Sequence, residues 1–407
     1  MQLAPIYLKK REERRLRNGH PWLFSNEVDT GRSPLKSFLP GQAVQVRTHG
    51  NDVLGYGYVN PNSLICVRLF GRGDDAPPLR ELLKTRISAA LRLREQLYEA
   101  PYYRLVYGEG DAIPGLVVDR YGAILVAQIS TAGMEQLTEE LIEALVEVVK
   151  PSGILLRNDL AARSLEGLTS FVRVAYGEVP ESLTVQENGA NFNVSPFHGQ
   201  KTGWYYDHRA NRAWLRAYLR QAHTGKAPRP GATVLDLFSY VGAFGIQSVM
   251  AGAEHAVCID SGEAATTAVT ENAAMNGIAG QVEARRGDGL DLIKELRREG
   301  RKFDVVVADP PAFIKRRKDS TAGVEAYRRL YGLAMQLVAN GGLLLAASCS
   351  YHLAREQQVQ TIARVARGNR RHAQILAEGQ QAPDHPVPPA LQETAYLKTL
   401  FVRVLEL

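Results

Sequence analysis

Between residues 232 and 350 short apolar runs that end in acids alternate with helical runs, and this rhythm limits the possible folds more than any other feature of the chain. "ATVLDLF" reads as a strand reaching Asp236 and Phe238, followed by the loop "SYVGAFG" and a helix of small residues. "HAVCIDS" is a second strand, ending in Asp260, and "EAATTAVTENAAMNG" is a helix stopped by Gly277. "VEARRGDG", "FDVVVADPP" and "GGLLLAASCS" continue the strands and bring in Asp288, Asp309 and Cys349. Strand, helix, strand in this order predicts a parallel sheet covered on both faces. Ligands of open α/β sheets sit at the carboxyl ends of the strands, where Asp236, Asp260, Asp288, Asp309 and Cys349 all fall.

The first loop narrows the ligand. Gly242 and Gly245 permit a tight turn and close backbone approach. The G-x-G-x-x-G dinucleotide fingerprint is missing, and so is a Walker lysine. Asp260 follows the glycine turn by about twenty residues, the place where a carboxylate accepts both hydroxyls of a ribose. A ribose-bearing ligand without phosphates fits best, and S-adenosylmethionine is one.

The remainder of the chain has a different character. At 407 residues it is long enough for two or three domains. Residues 1 to 72 hold eleven basic and five acidic side chains, an excess that equals the net charge of +6 for the whole chain. Such a charged end suits an anionic partner, nucleic acid first, although a solvated basic helix in "LKKREERRLRNG" would give the same charge. "AVQVRTH", "VLGYGYV" and "LICVRLF" are strands separated by turn signals, which predicts a small β unit over 1–73. Residues 74–197 open with a connecting helix and continue as an α+β unit, and 198–407 carry the parallel sheet. The apolar runs are far shorter than the roughly 18 residues that span a bilayer, so a soluble, cytoplasmic protein is expected. Cys66, Cys258 and Cys349 lie far apart and form no metal-ligand spacing; no metal is expected.

Together "VLDLFSYVGAFG", "CIDS", "GDG", "DPPAF" and "SCS" resemble a class I S-adenosylmethionine-dependent methyltransferase, and more narrowly the RlmI-type family, which methylates cytosine C5 in large-subunit (23S) rRNA. "QKTGWYYDHRANR", "APDHPV" and "YLKTLFVRV" are similar to the family's segments around the catalytic domain. The resemblance implies a PUA-like RNA-binding β domain, an α+β middle domain and a Rossmann-like seven-stranded methyltransferase domain. It implies cofactor contacts at Asp207, Asp236, Phe238, Gly242, Phe244, Asp260, Asp288 and Asp309, with Cys349, Asp309 and Pro310 as the catalytic group. Asp309 and the Pro310 carbonyl would meet the N3 and N4 edge of the base, and Lys315, Arg316, Arg317 and Lys318 the flanking phosphates. Cytosine C5 is a poor nucleophile until a thiolate adds to C6, which assigns that task to Cys349. Cys66 and Cys258 lie within apolar strands and read as core.

Many RNA cytosine-5 methyltransferases place a second cysteine after the first proline of the acidic motif, where this chain has Pro311. The base that takes the C5 proton is therefore unassigned, and water is one candidate. Two other readings stay open: a methyltransferase acting on a base nitrogen, which needs no cysteine, and a non-catalytic RNA-binding ribosome-assembly factor. The intact acids at the strand ends argue against the latter. A homodimer is compatible with the sequence.

Overall fold

A computed structural model describes residues 3–73, 77–221 and 231–407. The chain forms two units, one of residues 1–183, 195–204 and 383–394 and the other of 184–194, 205–382 and 395–407. Among the described residues no helix is long and apolar enough to cross a membrane.

The first unit contains two five-stranded sheets. Ala4–Tyr7, Gln42–Arg47, Val53–Val59, Ile65–Gly71 and Trp22–Phe24 make one of them, in that spatial order, around a core of Ile6, Leu23, Val44, Val46, Val59 and Val67. The basic helix expected at the start shrinks to Arg14–Arg17. Leu8 bridges Val28, Lys9 N–H donates to Glu27 O, and Arg11 adopts a left-handed φ of 74°, so the backbone is extended and then turned before it can coil. The second sheet runs Phe171–Gly177, Gly153–Asn158, Ile124–Ile129, Leu116–Tyr121, Tyr102–Tyr107. Helices Leu79–Leu97 and Thr138–Val149 set Leu83, Ile87, Leu141 and Leu145 into one core with Leu105, Val118, Leu125 and Leu156. Residues 74–76, beside the boundary expected at 73, lie outside the described residues.

Several polar side chains of the small β domain serve internal contacts. Trp22 Nε1 and Arg68 Nη1 both donate to Glu109 Oε1 at 2.7 Å, and the buried Tyr58 hydroxyl donates to Pro114 O at 3.0 Å. These groups tie the β domain to the middle sheet, and the cations left exposed are others, Lys10, Arg11 and Arg14 among them.

The second unit is built on seven strands: β1 (Thr233–Leu237), β2 (His255–Asp260), β3 (Val282–Arg286), β4 (Phe303–Ala308), β5 (Val338–Ser348), β6 (Arg371–Gln380) and β7 (Lys398–Glu406). Their spatial order is β3-β2-β1-β4-β5-β7-β6. The first five are parallel, as helical crossovers require; β7 is antiparallel to both its neighbours, because a strand returning from β6 needs no crossover to pair with it. The sheet is therefore Rossmann-like but mixed, and not parallel throughout. The strand hairpin Leu183–Glu187 and Ala190–Val194, which a division at 197 would leave with the middle domain, is bonded into this unit. Glu187 pairs with Arg212, and Asn193 N–H donates to Asn272 Oδ1 at 2.7 Å.

Candidate active site

Phe238, Tyr240 and Gly242 follow β1 with φ of 62°, 50° and 82°. A non-glycine residue held there costs on the order of 1–3 kcal/mol, and such strain gathers at ligand clamps. Asp260 at the end of β2 fixes the turn: Tyr240 N–H donates to its Oδ2 and Gly262 N–H to its Oδ1, each at 2.9 Å. Beneath the loop Asp236 is buried and accepts from Gly245 N–H at 3.0 Å. Burial pushes its carboxyl up to about 7, against the pull of that N–H and with help from Asp309. Gly245 is required for packing, since a Cβ there would lie 2.4 Å from Cys258 Sγ. Asp288 caps the helix Gly289–Arg298, accepting from Leu290 N–H at 2.9 Å, and a Cβ on Gly289 would press on the Phe238 ring. The Ser239 hydroxyl is buried without a partner among the described residues.

These features fit the S-adenosylmethionine that the sequence suggests. The loop offers a left-handed turn at Gly242, a carboxylate at a strand end for a diol, and an unsatisfied hydroxyl.

A second cluster adjoins β4 and β5. Asp309 follows β4, and its Oδ2 lies 3.2 Å from His208 Nε2. Asn211 Nδ2 contacts His208 Nδ1 at 3.1 Å and donates to Gln380 O at 3.3 Å. The amide is thereby oriented as a donor toward Nδ1, which puts the imidazole proton on Nε2, facing Asp309. Phe244 meets His208 edge-on with centroids 5.4 Å apart. Asp207 is buried and accepts from the Tyr396 hydroxyl at 2.5 Å. Cys349, half-buried just beyond β5, approaches Pro310 O at 4.0 Å. Cys66 and Cys258 are fully buried, and burial raises both thiols, Cys66 to about 12. In the basic loop Arg316 is paired with Asp319, while Lys315, Arg317 and Lys318 are exposed.

Asp236, Phe238, Gly242 and Asp260 thus surround one loop, and Asp309, Pro310 and Cys349 stand at the neighbouring strand ends. Phe244 and Asp207 join them through His208. Asp288 has one oxygen committed to its cap. Sequence reasoning passed over His208, Lys398, Tyr396 and Ser239. His208 sits one place beyond a chosen residue, Asp207, in "YYDHR". Lys398 opens a strand of buried residues, where a lysine is itself a signal.

Comparison with known proteins agrees with this architecture. Residues 6–72 match the PUA-like domain family, and residues 167–403 match the S-adenosylmethionine-dependent methyltransferase family. Ribosomal RNA large subunit methyltransferase I of Aliivibrio fischeri is 33% identical over 406 residues, 98% of this chain and 99% of that protein. The protein of the same name from Aeromonas hydrophila is 34% identical over 406 residues, again 98% and 99% of the two chains. Two solved structures share the fold at 21% identity. One, assigned to the SAM-dependent methyltransferases of Streptococcus mutans, has a TM-score of 0.81 and covers 98% of this chain and 100% of its own. The other is a methyltransferase complexed with SAH, with a TM-score of 0.82 over 99% of this chain and 100% of its own. With a methyltransferase family model matched over more than half of its length and relatives of this identity matched end to end, the chain belongs to the S-adenosylmethionine-dependent methyltransferases, in the ribosomal RNA large subunit methyltransferase I family.

Proposed function

We propose that this methyltransferase acts in the cytoplasm on large-subunit ribosomal RNA and forms 5-methylcytosine through a covalent Cys349 adduct. The observation that carries the reading is the contrast among the three cysteines: Cys66 and Cys258 are sealed in the core, while Cys349 is half-exposed beside Pro310 at the strand end next to Asp309. A base-nitrogen methyltransferase has no use for that thiol. The names of the relatives support the RNA substrate. The basic small domain, taken as residues 1–73, supplies the grip, with 74–197 as the middle domain and 198–407 carrying the chemistry.

S-adenosylmethionine supplies an electrophilic methyl group. Asp260 receives the ribose hydroxyls, and Phe238, Gly242, Ser239 and Gly289 shape the room around the nucleoside. Asp236 holds the loop from below, and Asp207 and Phe244 wall the side that His208 closes. Asp309 and the Pro310 carbonyl present two acceptors to the base, one for the N4 amino group and one for the N3–H that forms as the ring accepts a nucleophile. The Cys349 thiolate bonds to C6, the C5–C6 π pair shifts to C4–C5 and the C4–N3 π pair settles on N3, which takes a proton from water. C5, now electron-rich, takes the methyl group. Loss of the C5 proton to water then restores the double bond and breaks the C6–S bond with its electron pair on sulfur, which returns the thiolate, and the N3 proton leaves to water to give the neutral base.

RNA carrying 5-fluorocytosine tests this reading, because fluorine at C5 cannot leave as a proton. The wild-type enzyme is expected to stay attached to it on a denaturing gel, and Cys349→Ala to neither attach nor methylate. Methylation by Cys349→Ala at near wild-type rate would overturn the carbon-5 reading in favour of a base nitrogen.

A further inference from the structure

Lys398 opens β7 directly opposite Ser348, the residue before Cys349. Its neighbours Leu397, Thr399, Leu400 and Phe401 are all buried, and its own side chain is partly so. Nζ donates to Ser350 O at 3.1 Å and to Tyr396 O at 2.9 Å. Among the described residues no carboxylate pairs with it. Two neutral carbonyls return only part of the solvation that an ammonium loses on burial.

The groups around the sulfur leave little choice of counter-ion. Tyr327 and Tyr331 approach from the helix Ser320–Leu337, and Tyr205 from the segment before the helix Arg209–Gln221; burial keeps all three hydroxyls protonated. The charges of Asp207 and Asp309 both reach Tyr205, and the imidazole of His208 lies 3.2 Å from Asp309. Lys398 is the cation that senses the sulfur: burial pulls its ammonium down, and the charge of Cys349 draws it back up.

We propose that Lys398 is the counter-ion of the Cys349 thiolate, so that the nucleophile is formed before RNA arrives. The S–H bond breaks with its electron pair left on sulfur, the proton passes to water, and Lys398 stays an ammonium throughout. This deepens the reading of Cys349 as the nucleophile and rests on it. A thiolate with a fixed ammonium neighbour is present at neutral pH in a fraction that an isolated thiol does not reach.

The test follows alkylation of the whole native chain by iodoacetamide between pH 5 and pH 10. Peptide mass analysis confirms that Cys349 alone reacts, as the burial of Cys66 and Cys258 dictates. The wild-type midpoint is expected below the usual thiol value of about 8.5. Lys398→Met is expected to raise it by at least about one pH unit, which is roughly a tenfold slower reaction at pH 7. Lys398→Arg should keep most of the wild-type behaviour. Equal midpoints for wild type and Lys398→Met would overturn the proposal. So would a wild-type midpoint at or above the usual value, which requires no variant to fold. The 5-fluorocytosine trap separates the two levels of inference. A low midpoint that depends on Lys398 upholds the ion pair even if no adduct forms, and then the C6 chemistry fails. An adduct with unmoved midpoints overturns the ion pair and leaves that chemistry standing.

Discussion

His208 Nε2 lies 3.2 Å from Asp309 Oδ2, and Asn211 on the other side of the ring decides which nitrogen carries the proton. The pair holds an anionic carboxylate in place at the strand end with one oxygen left for a substrate. Removing the imidazole leaves Asp309 less constrained at the strand end. A hydrogen bond to a charged group is worth about 1.5–3 kcal/mol. His208→Ala is therefore expected to lower kcat by roughly tenfold to a hundredfold while cofactor affinity by calorimetry stays near wild type. Gln at this position can put an amide N–H where Nε2 stands, so His208→Gln should recover part of the loss. Equal kcat for His208→Ala and wild type would reduce the pair to a packing contact.

Asp260 binds two backbone N–H groups of its own chain before it meets any ligand. Asp260→Ala is expected to weaken S-adenosylmethionine binding by roughly tenfold to a hundredfold, the equivalent of one charged hydrogen-bonding group. Asn is not a mild replacement here, because its NH2 would confront the N–H of Tyr240 or Gly262. Both variants should therefore lose affinity, and calorimetry that finds Asp260→Ala unchanged removes this residue from the cofactor site.

Lys10, Arg11 and Arg14 are exposed on the small β domain, whereas Trp22 and Arg68 are occupied with Glu109. If the first group grips RNA, replacing all three by Ala should weaken binding at low salt. It should also make the log–log salt slope shallower by roughly 2, at about 0.7 per phosphate contact on a single strand. Substitution is a cleaner probe than truncation, which would leave Pro114 O without the Tyr58 hydroxyl and Glu109 without its donors. An unchanged slope would mean that these cations are only a solvated surface.

The contiguous features of this chain were legible because β1, β2 and β4 of the large sheet are apolar runs that each reach an acid, Asp236, Asp260 and Asp309. The unmatched position of Pro311 and the glycine turn could be read in the same local way. What escaped depends on residues far apart in sequence. His208 acquires meaning only from Asp309, and Lys398 only from the carbonyl of Ser350, and neither pairing leaves a mark on the local pattern. Left-handed backbone at Phe238 and Tyr240 was invisible for another reason: non-glycine residues do not advertise a conformation that Asp260 imposes on them. The strand Phe171–Gly177 hid because Val172, Val174 and Tyr176 point to solvent, which reverses the usual link between apolar side chains and burial. The antiparallel β7 was likewise unreadable, since strand direction belongs to the connection and not to the run itself.

Asp236 gives the fold a pH dependence of definite sign. Its carboxyl is raised to about 7 in the folded chain, well above the usual value of about 3.9 for an exposed aspartate. A raised acid favours the folded state while it is protonated, so its contribution is fully present below the unfolded value and is lost as pH rises through the folded one. Between pH 5 and pH 8 the expected loss is on the order of 3 kcal/mol. Asp236→Asn removes the titration and keeps an oxygen to accept from Gly245 N–H. Urea unfolding at the two pH values should therefore show the variant gaining on wild type as pH rises, by most of that amount. A difference between the proteins that is the same at pH 5 and pH 8 would mean that Asp236 is charged in the folded chain across this range, and that water or a neighbouring cation reaches it under the loop.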